Sequence, residues 1–305
     1  MTFLAVGAAA AAMLAITLTP VSAQLAGKGK ASPEALKGGP KGGGKGKGGG
    51  KGKNATPTTR ISTLEINQPD FGGTGVWNVP YITNMADSIT DGYLETCNAF
   101  PNSAGDEIVS CAPFTALGKE VFAGRRKSDS ATDPEGRCLP PGVPRMMYTP
   151  YPMKIIQEPK IVTFIYEGGA HVWRQIPIGP RGSLKHEVDP NPTYLGEAIG
   201  WWEGDTLVID TIGFNDRTWL DFAGHPHGEK LHVIERYTRL DSLTLEHVAI
   251  IEDPEYYTKP WTVRITTGYD PAKVLFEYIC QENERDSDHN EEHLRKLGID
   301  PDKIK

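Results

Sequence analysis

Asn215, Asp216, Arg217, Trp219, Asp221, His225, His227 and His232 fall within one stretch, GFNDRTWLDFAGHPHGEKLH, running from Gly213 to His232. Histidine exchanges protons near neutral pH, and a neighbouring carboxylate orients its ring. The stretch therefore carries the parts of an acid–base site. His225 or His227 would move the proton and Asp221 or Asp216 would orient the imidazole. Arg217, or Arg174 from elsewhere, would stabilise developing negative charge. Trp219 and Asn215 add a stacking face and an amide for substrate binding. A long polar loop between strands is where a scaffold displays its chemistry.

The same residues have two other uses. His225-Pro226-His227 sets two imidazoles two residues apart, and His232 or Glu235 would supply a third metal ligand. No further ligand follows at a spacing that fixes a site, so the expectation is an enzyme without cofactor, metal at His225/His227 being the minor alternative. The structural use is plainer: Asp and Asn cap turns, while the histidines bond backbone carbonyls. Nucleophilic catalysis has little support, since the chain has no G-x-S-x-G. The folded part also has no G-x-G-x-x-G and no P-loop, which argues against nucleotide cofactors.

Other candidates lie outside the loop. Strand alternation puts His171, Trp173 and Gln175 on one face and Val172, Arg174 and Ile176 on the other. His171 would act in proton transfer, with Trp173 and Arg174 binding substrate. Tyr148 and Tyr151, near Arg145, would offer phenols from a rigid segment. Asp210 ends a β-branched strand and either caps the next turn or faces a polar cavity. Tyr257 and Trp261 are candidates for a cavity rim.

The elements that would position these groups are mostly strands. DPEGRCLPPGVPRMMYTPYP, 133–152, holds six prolines, which forbid a helix and a central strand, so it reads as ordered but irregular. After it, predicted strands cover 160–166, 171–178, 199–202, 206–211, 231–237, 243–252, 261–267 and 273–280. Short helices are expected near 116–123 and 290–297, the second stopped by Gly298. Val76-Trp77 reads as an apolar anchor. The predicted class is mainly β: an antiparallel, barrel-like (lipocalin-like) or sandwich domain over 61–285, with a long irregular N-terminal part.

Both ends differ from that domain. Residues 1–23 carry an apolar run closed by Val21-Ser22-Ala23, the pattern of an export signal cleaved after Ala23. The run is shorter than a bilayer requires, so an integral membrane protein is not expected. Residues 24–60 hold a Gly/Lys tract that cannot bury a core and reads as a disordered linker. The tract 26–53 contributes eight of the 32 basic residues and one of the 39 acidic ones, leaving 24 against 38 and a net charge of −14. So acidic a domain argues against a nucleic-acid partner and leaves a small-molecule ligand or substrate. Residues 286–305 form a charged tail. Oligomeric state is left open.

Cys97, Cys111, Cys138 and Cys280 allow three pairings. In an exported protein oxidation is expected. The favoured pairing is Cys97–Cys111 as a local staple and Cys138–Cys280 as a long-range clasp. Without a C-x-x-C, zinc is not expected.

Taken together, DPEGRCLPPGVPR (133–145), YPMKIIQEP (151–159), YEGGAHVWRQI (166–176), WEGDTLVIDTIGFNDRTWLD (202–221), GHPHGEKLHVIERY (224–237) and EYICQEN (277–283) resemble a family of exported, largely uncharacterised bacterial proteins. The resemblance spans roughly residues 70–285. It implies export and a single β-rich domain, and no particular reaction. Cys138 and Cys280 fall inside its blocks while Cys97 and Cys111 do not, in keeping with the favoured pairing. The expected function is a cofactor-independent lyase or hydrolase acting on a small aromatic or carbohydrate-like molecule. The alternative is a secreted binding protein of the same build without catalysis.

Overall fold

A computed structural model describes residues 68–90, 97–169, 172–186, 192–282, 284 and 286–303. The expected export signal, the Gly/Lys tract and His171 lie outside them. Among the described residues no helix is long and apolar enough to cross a membrane.

Alternating apolar and polar residues drive much of the chain after Pro152 into strands. The strands are β1 Val76–Asn78, β2 Asn98–Pro101, β3 Glu107–Ser110, β4 Pro152–Gln157, β5 Ile161–Tyr166, β6 Trp173–Pro177, β7 Glu197–Glu203, β8 Thr206–Ile212, β9 His232–Arg239, β10 Thr244–Glu252 and β11 Trp261–Asp270. β2 and β3 form a separate hairpin. The other nine make one antiparallel sheet in the order β6-β5-β4-β1-β11-β10-β9-β8-β7. The protein is thus mainly β, as expected.

This sheet is strongly curled. Arg174 on edge strand β6 bonds Glu235 on β9 at 2.8 Å, although β9 is six places away in the sheet. In a flat sheet that offset would separate them by about 30 Å. The edges themselves approach through a parallel bridge between Ile178 and Gly200, where the Gly179 N–H donates to the Gly200 carbonyl at 3.0 Å. Nine alternating strands leave the two edges pointing the same way, so only a parallel bridge can join them. A side chain at Gly200 would come within 2.6 Å of the Ile178 side chain, so glycine lets the edges approach without displacing it. On the concave side lie Trp77, Phe164, Ile209, Tyr237, Ala249 and Val263, all buried.

Two helices complete the framework. α1, Ala116–Lys127, starts where Thr115 accepts the Gly118 N–H at 3.1 Å and ends with Arg125, Arg126 and Lys127 against its C-terminal dipole. α2, Asp286–Lys296, begins before its predicted start and stops ahead of Gly298, whose φ is 75°. Both disulfides pair as favoured, Cys97–Cys111 and Cys138–Cys280. The second closes 142 residues against 14, the longer loop being the greater constraint on the unfolded chain.

Three expectations need correction. Residues 273–280 form no strand, because both sides of β11 are already occupied by β10 and β1. That segment runs across the surface, leaving Val274 and Phe276 58% and 70% exposed. Val76-Trp77 is no mere anchor: it lies in β1, which fills the gap between β4 and β11. The β6 face carrying Trp173 points outward, with Trp173 55% exposed, while Arg174 is buried.

Candidate functional site

The loop between β8 and β9 is built around one carboxylate. Asp221 accepts the N–H groups of Met85 at 2.7 Å and of Gly224 and His225 at 3.0 Å each. It also meets His225 Nδ1 at 2.6 Å, while His225 Nε2 lies 2.7 Å from Ser110 Oγ. Ser110, His225 and Asp221 therefore stand in the order of nucleophile, base and orienting carboxylate. All three are completely buried. The imidazole sits among Phe114, Phe122 and Trp261, with ring centres 4.5 to 5.6 Å away. The ring and its two partners line neither of the hollows described below, and both ring nitrogens are engaged. The hydrogen bonds fasten the loop to β3 and to the turn at Met85. Burial would raise the Asp221 carboxyl, but His225 and the amide donors hold it below its ordinary range.

Its neighbours are tied down in the same way. His227 Nε2 lies 2.6 Å from Thr218 Oγ1, and its Nδ1 lies 3.3 Å from the Gly228 carbonyl. Burial lowers its pKa to about 4. Asn215 caps a turn by accepting the Arg217 N–H, while the side chains of Asp216 and Arg217 face outward. Trp219 is buried beneath the Arg125 guanidinium, 4.7 Å from its ring. His232 belongs to β9 and pairs with Asp210 at 2.7 Å, the polar use of Asp210. Tyr257 and Trp261 are core residues rather than a rim. Among the described residues no group of three or more His, Cys, Asp or Glu is placed to hold a metal ion.

The concave face of the sheet carries a second polar cluster. Glu235 Oε1 accepts the Tyr237 hydroxyl at 2.7 Å and faces His247 Nε2 at 3.2 Å, while Oε2 pairs with Arg174. Arg174 also donates to Thr211 Oγ1 at 3.2 Å. Burial pushes Glu235 upward, but Arg174 and then His247 outweigh it and bring its pKa down to about 2. Burial raises the phenols of Tyr148, Tyr166 and Tyr237. Among the described residues two polar atoms beside this ion pair have no hydrogen-bond partner: Tyr148 Oη and His247 Nδ1. Native interiors rarely leave such groups unmet. Of these residues sequence reasoning singled out Arg174 and Tyr148 for binding and Glu235 only as a metal ligand. It passed over His247.

Tyr148 links that cluster to the surface. Its ring meets His247 edge-on at 6.2 Å, and it also lines an open cleft of about 690 Å³. In the cleft wall Arg145 bonds Asp133 through two nitrogens, at 2.8 and 2.6 Å, and Glu135 at 2.7 Å. Burial raises the Glu135 carboxyl despite the opposing pull of Arg145. Tyr151 donates to the Tyr278 hydroxyl at 3.1 Å. The cleft thus gathers Tyr148 and Tyr151 of the predicted binding residues. Trp173 and Arg174 line a smaller hollow of about 390 Å³, and Trp219 and Asn215 line neither.

Compared with family models, with curated proteins and with solved structures, the chain matches none.

Proposed function

We propose that this chain is an exported, cofactor-independent lyase or hydrolase that acts on a small ring-bearing molecule, aromatic or carbohydrate-like, by acid–base chemistry. The acid–base roles expected of the loop pass to His247, Glu235, Arg174 and Tyr148, which are as buried as His225 but adjoin the cleft through Tyr148. The observation that carries this reading is the set of unpartnered atoms around the Arg174–Glu235 pair. An ionised carboxylate only accepts, so Glu235 pairs with the tautomer of His247 that carries its proton on Nε2. Nδ1 is then a bare lone pair, as a general base requires. Arg174 keeps Glu235 ionised and the imidazole oriented. Tyr148, between this cluster and the cleft, would donate its hydroxyl to the oxygen on which charge develops.

The scaffold fits that use. We read the curled sheet, bridged at Ile178 and Gly200, as a lipocalin-like barrel whose interior holds the polar cluster. Export is supported by the leader ending at Ala23 and by two disulfides, which persist in oxidising compartments.

Turnover of a panel of 4-nitrophenyl esters and glycosides tests the reading. Tyr148→Phe and His247→Gln should each lower turnover by about 10²–10⁴. Turnover unchanged in both variants overturns it. A second reading, ligand binding without catalysis, is favoured by Arg145, which ties down both Asp133 and Glu135 at the cleft. It predicts no turnover by the unaltered protein, and affinity that falls with Tyr151→Ala.

A further inference from the structure

We infer that the cleft selects a positively charged ligand: an organic ammonium ion that carries a ring. This deepens the proposed function by naming the charge class of the molecule the cleft admits.

Among the described residues six carboxylates line the cleft, those of Asp129, Asp133, Glu135, Glu277, Glu282 and Glu284, against the one guanidinium of Arg145. Arg145 is buried and already bonded to two of them, so it has little charge to offer an incoming anion. An excess of carboxylates around a concave opening draws in the opposite charge. An anionic substrate would be repelled from this opening.

Carboxylates alone would serve a metal ion equally well, but the remaining lining does not. Tyr81 is 60% and Phe222 40% exposed at the cleft, and the Tyr151 and Tyr278 rings pack together at 4.8 Å beside them. Large apolar rings left in water around a negative cleft are the surface that attracts a weakly hydrated organic cation through the ring faces. Among the described residues no three of the carboxylates converge as metal ligands would. Independently, Tyr148, which lines the cleft, carries a buried hydroxyl with no partner, a group free to accept from or donate to a bound molecule.

Titration calorimetry on the full-length protein with benzyltrimethylammonium, benzyl alcohol and phenylacetate tests this. The ammonium probe should bind at least about tenfold more tightly than the alcohol, with no detectable binding of phenylacetate. Added salt should weaken the ammonium complex. Tyr81→Ala and Glu277→Gln, both at exposed positions, should weaken it while leaving the melting temperature unchanged. Equal affinity for the three probes overturns the inference, as does affinity indifferent to Tyr81→Ala. So does displacement of the ammonium probe by calcium chloride at equal ionic strength. The proposed catalysis fails separately. Tyr148→Phe and His247→Gln with unchanged turnover would sink the catalytic reading and leave the charge preference intact.

Discussion

Two buried histidines in this protein each face a carboxylate, and they are left in opposite states. His225 meets Asp221 at 2.6 Å and His247 meets Glu235 at 3.2 Å. The second nitrogen of His225 is taken by Ser110, whereas that of His247 has no partner. Asp221 spends its other bonds on backbone amides, which makes it a loop anchor. Glu235 spends its bonds on side chains from β6, β9 and β10. Phe114, Phe122 and Trp261 seal His225, while tyrosines flank His247. A histidine–carboxylate pair is thus better judged by what it leaves unsatisfied than by its own hydrogen bond. Saturated pairs hold a fold together, and pairs with capacity to spare can do chemistry.

The sharpest way to break this contrast is Asp221→Ala. It strands three backbone N–H groups and the ring of His225 in the interior. The expected loss is about 3–5 kcal/mol in urea unfolding. A loss under about 1 kcal/mol would mean that Asp221 does not anchor the loop.

Acid should separate the two regions next. His227 is lowered from 6.5 to about 4, so its neutral form is favoured in the fold. Its contribution is complete above pH 6.5 and disappears as pH falls toward 4, on the order of 3 kcal/mol in all. Glu235 is lowered from 4.5 to about 2, so its contribution is complete above pH 4.5 and disappears only between there and pH 2. Amide exchange followed from pH 7 to 4 should therefore show the loop around Gly228 losing protection while β9 and β10 stay closed. His227→Asn should flatten that stretch of the stability profile. Simultaneous opening of both regions would contradict the assignment.

The strands after Ile161 were legible because apolar residues alternate there with few interruptions. β1 and β4 were not, being short or flanked by prolines that suggest irregular chain. The disulfides followed from spacing, whereas the curl of the sheet is a long-range outcome that no local pattern encodes. Crowding of polar residues in the loop drew attention to it, yet crowding cannot distinguish capping from catalysis. A better signal lay in the strands. Arg174 sits between Val172 and Ile176 on a buried face, Glu235 between Val233 and Tyr237, and His247 between Leu245 and Ala249. A charged or titratable residue on the apolar face of a strand is costly unless it is paired. Three such residues on three strands mark one buried cluster.

The finest test deletes one hydroxyl from each region. Ser110 Oγ meets His225 and accepts the Ala112 N–H at 3.2 Å, so Ser110→Ala leaves two buried groups without it. The expected cost is about 1–3 kcal/mol. The Tyr148 hydroxyl has no partner to strand, so Tyr148→Phe removes a buried polar atom at no structural loss. Its stability should stay within about 0.5 kcal/mol of the parent or rise slightly. Paired urea titrations read the difference directly. Equal costs would show that the Tyr148 hydroxyl supports the fold as much as that of Ser110, and the contrast between the two histidines would lose its meaning. A silent Tyr148→Phe that still loses turnover would put the hydroxyl to chemical rather than structural use.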